Sequence, residues 1–182
     1  MTAMASGSGG IDLEIAPIAG RDDLSLTPLS VDDADSMVEV LADPQLYVFT
    51  GGEAPDLEGL TRRYLVQVRG GPADGSARWL NWIVRWRDHG PVGYVQATVY
   101  DIGDGMRADL AWVTGTPWQG RGIATAASQL MMDWLAERGV QHFTASIHPR
   151  HVSSRKVAFS LGLRRSEELT DEGEEVWTTA VP

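Results

Sequence analysis

The chain has 182 residues, enough for one domain with a sizeable core, and its 43% hydrophobic share is that of an ordinary globular protein. It has no cysteine, which excludes disulfides, thiolate metal sites and a cysteine nucleophile and fits a reducing cytoplasm; no apolar run approaches the roughly 20 residues of a membrane span. A net charge of -10 argues against binding the phosphate backbone of nucleic acid, and suits solubility first and a cationic small substrate second.

Residues 1–21 begin rich in Gly and Ser, lack the basic start and apolar stretch of a signal peptide, and read as a flexible tail before a domain over 22–182. Leu24, Leu26 and Pro28-Leu29 indicate a short strand. Asp32 or Asp33 then caps a helix with Ala34, Met37, Val38 and Leu41 at helical spacing, ending near Asp43-Pro44. Beyond Gly51-Gly52 and Pro55 a second helix is expected over 56–68, with Leu57, Leu60, Tyr64, Leu65 and Val68 on one side.

After the break at 70–75 the period changes from helix to strand. Over 79–86, Leu80, Trp82, Val84 and Trp86 fall on one face, Asn81 and Arg85 on the other. Over 92–100, Val95, Ala97 and Val99 oppose Tyr94, Gln96 and Thr98, and a strand over 107–113 completes an antiparallel meander. Ile123, Ala127, Leu130, Met131, Trp134 and Leu135 mark an amphipathic helix over 122–138, closed by Gly139. Residues 142–148 alternate again. A last helix covers 152–161, and 164–169 pairs with 175–180 in a hairpin whose acidic residues read as a solvated face. The order is β-α-α-β-β-β-α-β-α-β-β.

Gln119-Gly120-Arg121-Gly122-Ile123-Ala124 stands where the meander hands over to the long helix. Backbone N–H groups at such a turn point outward, and the helix dipole adds partial positive charge. Gly120 and Gly122 let the main chain approach a pyrophosphate, and Arg121 adds a charge-assisted contact. The P-loop pattern fails, because no Lys-Ser or Lys-Thr follows the second glycine. The dinucleotide fingerprint fails too, lacking its third glycine and an opening parallel βαβ unit.

The hexapeptide resembles the Gln/Arg-x-x-Gly-x-Gly/Ala motif of the GNAT superfamily of N-acetyltransferases, and the resemblance runs from about Leu24 to Ala180. It is most similar to the RimJ/RimL-type branch. Ala108-Asp109-Leu110-Ala111-Trp112-Val113 precedes the motif at that branch's spacing. Pro149-Arg150-His151-Val152-Ser153-Ser154, then Leu161-Gly162-Leu163, matches its Pro-x-Asn-x-x-Ser element, short helix and Gly-Phe. Two departures stand out: His151 replaces the usual Asn, and Asp109 is one methylene shorter than the Glu common in relatives.

The resemblance implies one α/β (α+β) domain, its central sheet mixed, mostly antiparallel and seven-stranded, flanked by about four helices. It implies acetyl-CoA as co-substrate and no metal. The cofactor lies in a V-shaped opening between the strands at 107–113 and 142–148. Its pyrophosphate rests on Gln119, Gly120, Arg121, Gly122, Ile123 and Ala124, and its pantetheine arm pairs with the backbone of Ala111, Trp112 and Val113. His151 and Ser154 complete the cofactor set. An amine attacks the thioester directly, in a ternary complex.

In that frame Asp109 is the candidate base, directly or through a water, against its reading as a surface carboxylate. The Val113 N–H is the expected donor to the carbonyl oxygen. No tyrosine follows Tyr100, so Ser154 is the candidate proton donor, with helix capping as its other reading. His148 and Tyr94 are candidate acceptor contacts. His148 and His151 as a metal pair lack a third ligand. The expected acceptor is a small-molecule amine, ahead of a protein N-terminal α-amine. A non-catalytic acyl-CoA-binding regulatory module is the rival from another class. Neither nucleic acid nor membrane is expected as partner, and relatives commonly pair as dimers.

Overall fold

The alternating apolar residues in the middle of the chain are realised as one sheet in the computed structural model, which describes residues 13–21 and 23–179. Its strands are β1 (Ile18–Ala19), β2 (Leu24–Pro28), β3 (Arg78–Trp86), β4 (Pro91–Asp101), β5 (Met106–Thr114), β6 (Val140–Ile147), β7 (Arg164–Leu169) and β8 (Glu175–Thr178). They lie in the order β1-β2-β3-β4-β5-β6-β8-β7, and only β5 and β6 run parallel. The sheet is mixed and mostly antiparallel as expected, but it has eight strands rather than seven.

The extra strand corrects the reading of the first residues. Ile18 and Ala19 pair with Leu26 and Ser25, inside the segment taken as a tail. Leu13 is buried, and Ile15, Ala16 and Ile18 pack against the core. The Trp82 indole Nε1 donates to the Ala16 carbonyl at 2.8 Å. A short apolar alternation thus holds 13–19 to the sheet, which the Gly/Ser-rich start hides from a compositional reading. The rest of that expected tail, 1–12, lies outside the described residues.

Four helices cover the sheet: α1 (Ala34–Val40), α2 (Leu57–Gln67), α3 (Ile123–Ala136) and α4 (Val152–Ser160). On one face, Ile123, Ala127, Met131 and Leu135 of α3 pack with Leu26, Leu80, Trp82, Val95 and Ala97. On the other, Met37 and Val40 of α1 and Leu60 and Tyr64 of α2 pack around Ile83. Each such Leu or Met, fully withdrawn from water, contributes about 1.5–3 kcal/mol.

Three local expectations change in three dimensions. Ser30, not an aspartate, caps the turn before α1: its hydroxyl accepts from the Asp32 N–H, and the Ser30 N–H donates to Asp33 Oδ2 at 2.8 Å. That leaves Asp33 Oδ1 to take Arg85 Nη2 at 2.6 Å. On α2, Leu60 and Tyr64 are buried, whereas Leu57, Leu65 and Val68 face solvent. In the last hairpin Glu175 is buried, not solvated. Arg155 and Arg165 flank it at 3.2 and 3.1 Å, and the Trp177 indole donates to Oε2. The carboxylate therefore ties α4 to β8. No described helix is long and apolar enough to cross a membrane.

Candidate active site

The parallel pair is where the sheet opens. Rungs run from Met106 opposite Val140 to Asp109 opposite Thr144 and then stop. Beyond that point β5 stays with β4 as far as Thr114 opposite Gly93, while β6 turns to β8, pairing from Thr144 to Ile147. The two strands diverge from an apex at Asp109 and Thr144. Residues 110–114 of β5 are left with one edge unpaired.

The phase of the ladder decides which backbone groups face this opening. The Gly115 N–H donates to the Val92 carbonyl at 2.9 Å, which sets every second residue of β5 on β4. Val113, Ala111 and Asp109 thus direct their N–H and C=O groups to β4. Leu110, Trp112 and Thr114 direct theirs to the opening. The last parallel rung engages the Leu110 N–H, and Gln119 Nε2 donates to the Thr114 carbonyl at 3.0 Å. The Trp112 N–H is left aimed into the opening, whereas the mechanism implied by the resemblance had the Val113 N–H there. Ala111 and Val113 border the site through their side chains.

Both strands end on the same side of the molecule, and each hands over to a helix without a side-chain cap. α3 starts at Gly122 and α4 at His151, neither of which supplies a capping hydrogen bond. First-turn N–H groups at such ends lack partners within their helix, and the dipoles make both ends positive. Gly120 and Gly122 have φ of 72° and 77°, and no neighbour within 4 Å of where a Cβ would stand. The left-handed backbone needs glycine there, and the space above it is open. Ile123 is buried in the core, anchoring the helix start. Ala124 follows it in the first turn of α3.

Packing fixes the flank of this turn. Arg121 lies over Trp86, its Cζ 5.7 Å from the ring centroid, and donates weakly to the Pro117 carbonyl at 3.4 Å. His89 stacks on Trp86 and meets Trp118 edge-on. Gln119, a residue expected on the cofactor, uses its side chain to bond the end of β5 to the start of the turn.

At the apex, Asp109 Oδ1 accepts from Thr144 Oγ1 at 2.5 Å and from Arg107 Nε at 3.1 Å. Its other oxygen has no partner among the described residues. With Ala111 and Val113 it occupies the face of β5 that looks toward α1 and α2, since the neighbouring Ala108 and Leu110 point into the core under α3. Ser154 is the third residue of α4, half-buried; the cap position belongs to His151, so the capping reading falls.

The far wall holds a cluster that sequence reasoning missed in part. Phe49, from the loop before α2, stacks on His151 with centroids 4.6 Å apart and tilts against His148 at 5.3 Å. His148 Nδ1 accepts from the Arg150 N–H at 3.2 Å. Burial, and then the neighbouring His148, push the His151 pKa below the usual histidine value. His151 is therefore an imidazole at neutral pH. No group of three side chains suited to a metal occurs among the described residues. Phe49 carries no motif; only its place beyond a helix marks it.

Between α2 and the sheet lies a narrow cleft lined by Leu29, Leu41, Arg63, Tyr64, Asn81 and Tyr94, among others. Tyr94 stands opposite Val113 in the β4–β5 register, so the cleft adjoins the opening one strand away. Of the expected acceptor residues, Tyr94 lines this cleft, and His148 sits across the opening.

Comparison with known proteins follows the same lines. A family model described as an acetyltransferase (GNAT) domain matches residues 23–164. No curated protein matches the sequence. Solved structures match in fold. RimL, a ribosomal L7/L12 alpha-N-protein acetyltransferase in complex with coenzyme A, superposes with a TM-score of 0.73 at 15% identity, covering 89% of this chain and 95% of that one. A GNAT-family acetyltransferase from Bacillus anthracis gives 0.70 at 16%, over 89% and 95%. The aminoglycoside acetyltransferase AAC(6')-Ib in complex with coenzyme A gives 0.67 at 18%, over 85% and 92%. At these identities the likeness is one of fold.

Proposed function

Since this chain belongs to the GNAT family and is an acetyl-CoA-dependent N-acetyltransferase, we propose that it acetylates a small-molecule primary amine by direct attack in a ternary complex. The observation that carries this reading is the free edge of β5, which runs from the Asp109–Thr144 apex to an uncapped glycine turn. A pyrophosphate suits the turn, and an extended pantetheine arm suits the edge. At about 3.3 Å per residue, 110–114 offers about 13 Å of strand for it. The arm then brings the thioester toward the apex, within reach of the Trp112 N–H.

The amine enters from the α1/α2 side and must be neutral to attack. Asp109, whose free oxygen faces that side, takes its proton, directly or through a water. Nitrogen bonds to the carbonyl carbon, and charge grows on the carbonyl oxygen against the Trp112 N–H. The C–S bond then breaks, and the thiolate takes a proton from Ser154 or from water. His151, kept neutral by its surroundings, is the second proton acceptor within the opening. A small acceptor suits the narrow cleft beside Tyr94 better than a folded protein's N-terminus does.

Release of free thiol from acetyl-CoA across an amine panel tests this reading. Acetyl-CoA at about 100 times its Kd should also raise stability by roughly 2.7 kcal/mol. Thermal stabilisation with no thiol release for any amine leaves the regulatory binding module as the better account.

A further inference from the structure

The cleft beside Tyr94 holds more polar capacity than the fold uses. The Tyr64 hydroxyl is buried and has no hydrogen-bond partner among the described residues, although the residue is only 4% exposed. A buried hydroxyl left in that state costs about 1–3 kcal/mol, so a fold keeps one where something else meets it. Asn81 is buried as well, and its side-chain amide bonds to nothing within the described chain, although its main-chain carbonyl accepts from Leu29. The Tyr94 hydroxyl is likewise without a partner there. All three line the same cleft.

The fourth group is a cation. Arg63 also lines the cleft and makes no ion pair among the described residues. Its neighbour Arg62 takes Glu58, one turn away, so the nearest helix carboxylate is already engaged. The carboxylate whose charge reaches Tyr64 is Asp33, and Arg85 and the Ser30 N–H hold it. Burial raises the phenols of Tyr64, Tyr94 and Tyr47 above the usual range, while the charge of Arg63 acts on all three in the opposite sense. Arg63 lines the same cleft as Tyr64 and Tyr94, and both of these phenols remain protonated donors. In a chain with ten more acidic than basic charges, an unpaired arginine beside three donors is a selective feature.

We propose that this cleft binds a carboxylate on the acceptor, held by Arg63 with the Tyr64 and Tyr94 hydroxyls and the Asn81 amide. The cleft has about 20 Å³ of free space, room for a carboxylate group alone, so the acceptor is a primary amine bearing a carboxylate a few bonds away, as in an amino acid, with its side chain outside the cleft. A guanidinium offers a planar fork that fits a carboxylate in two parallel hydrogen bonds, and neutral donors complete its coordination. This assignment rests on the acetyltransferase reading above. It also departs from the expectation drawn from net charge alone, because an arginine without an ion pair among the described residues lines the cleft of a chain that is negative as a whole.

The test uses matched probes on the whole chain: phenylalanine and leucine, their carboxamides, and phenethylamine. Thiol release gives kcat/KM, and calorimetry on the CoA-saturated protein gives binding separately. The free acids should exceed the carboxamides and phenethylamine by about tenfold or more in one or both readouts. Arg63→Gln should bring acid and carboxamide within about twofold, and Arg63→Lys should keep part of the difference. Arg63 is exposed, so these variants fold; Tyr64→Phe, which keeps the ring, should weaken the acids alone. Equal binding of acid and carboxamide, or a preference unchanged in Arg63→Gln, overturns the proposal, and a better carboxamide points to a peptide N-terminus instead. Arg63-dependent binding of the acids without thiol release keeps the anion site and removes the transfer reading.

Discussion

The opening between β5 and β6 and the cleft under α2 adjoin on one sheet yet are built from different materials. The opening is made of backbone: an unpaired strand edge, a left-handed turn and two uncapped helix starts. The cleft is made of side chains from α2, β3 and β4, brought together across more than thirty residues of sequence. A backbone site needs glycines and a register, which consecutive residues spell out. A side-chain site needs a fold before its members meet.

Damage to the backbone site should therefore be severe and specific to the cofactor. Gly122→Val places a branched side chain at φ near 77°, a strain of about 1–2 kcal/mol, and fills the space a phosphate would take. The strain lowers stability, and lost charge-assisted bonds of about 1.5–3 kcal/mol should lower acetyl-CoA affinity by about 10- to 10²-fold. Calorimetry with acetyl-CoA checks this, and near-normal affinity would remove the turn from the site.

Asp109 lies at the meeting point of the two regions. Asp109→Asn should lower kcat by about 10²-fold, leave the KM for acetyl-CoA nearly unchanged, and abolish the acidic limb of the pH–rate profile. Persistence of that limb would pass the base role to His151 or His148.

The next effect concerns stability of the far wall. Glu175→Gln removes the charge that Arg155 and Arg165 share and should cost about 2 kcal/mol in urea unfolding. A neutral result would mean that α4 is held by Ala158, Leu161 and Leu163 alone.

On the cleft side the sign should reverse. Tyr64→Phe deletes an unpartnered buried hydroxyl, so the unliganded protein should gain about 1 kcal/mol of stability while losing preference for acids. A loss of stability would show the hydroxyl to be part of the packing.

The smallest effect is a slope. Because His151 titrates below its unfolded value near 6.5, the unfolded chain binds the extra proton first as pH falls. Its contribution to stability is present above that pH and declines below it. His151→Gln should flatten the pH dependence of the melting temperature between pH 7 and 5.

These contrasts follow what was legible. The meander, the long helix and the Gly120-Arg121-Gly122 turn were readable because period, turn chemistry and φ requirements are properties of short segments. Trp112 rather than Val113 as the free strand donor was not, since the two differ only in which neighbour β5 bonds, a fact set by Gly115 meeting Val92. Nothing in the local pattern of α2 singles out Arg63, whose place in the cleft depends on β3 and β4 packing beneath it. Glu175 read as part of an acidic hairpin, until α4 placed Arg155 beside it.

What the sequence by itself determined is the cofactor half: a strand, a glycine turn and a helix start that spell an anion site, and the family they resemble. Tertiary structure alone decided where the strands part, which N–H faces the opening, that residues 13–17 pack on the core while Ile18 and Ala19 add a strand, and that an arginine without an ion pair among the described residues shares a cleft with Tyr64 and Tyr94. Local propensity acts over a few residues. Register and side-chain convergence depend on contacts between segments far apart in the chain, which no local pattern encodes.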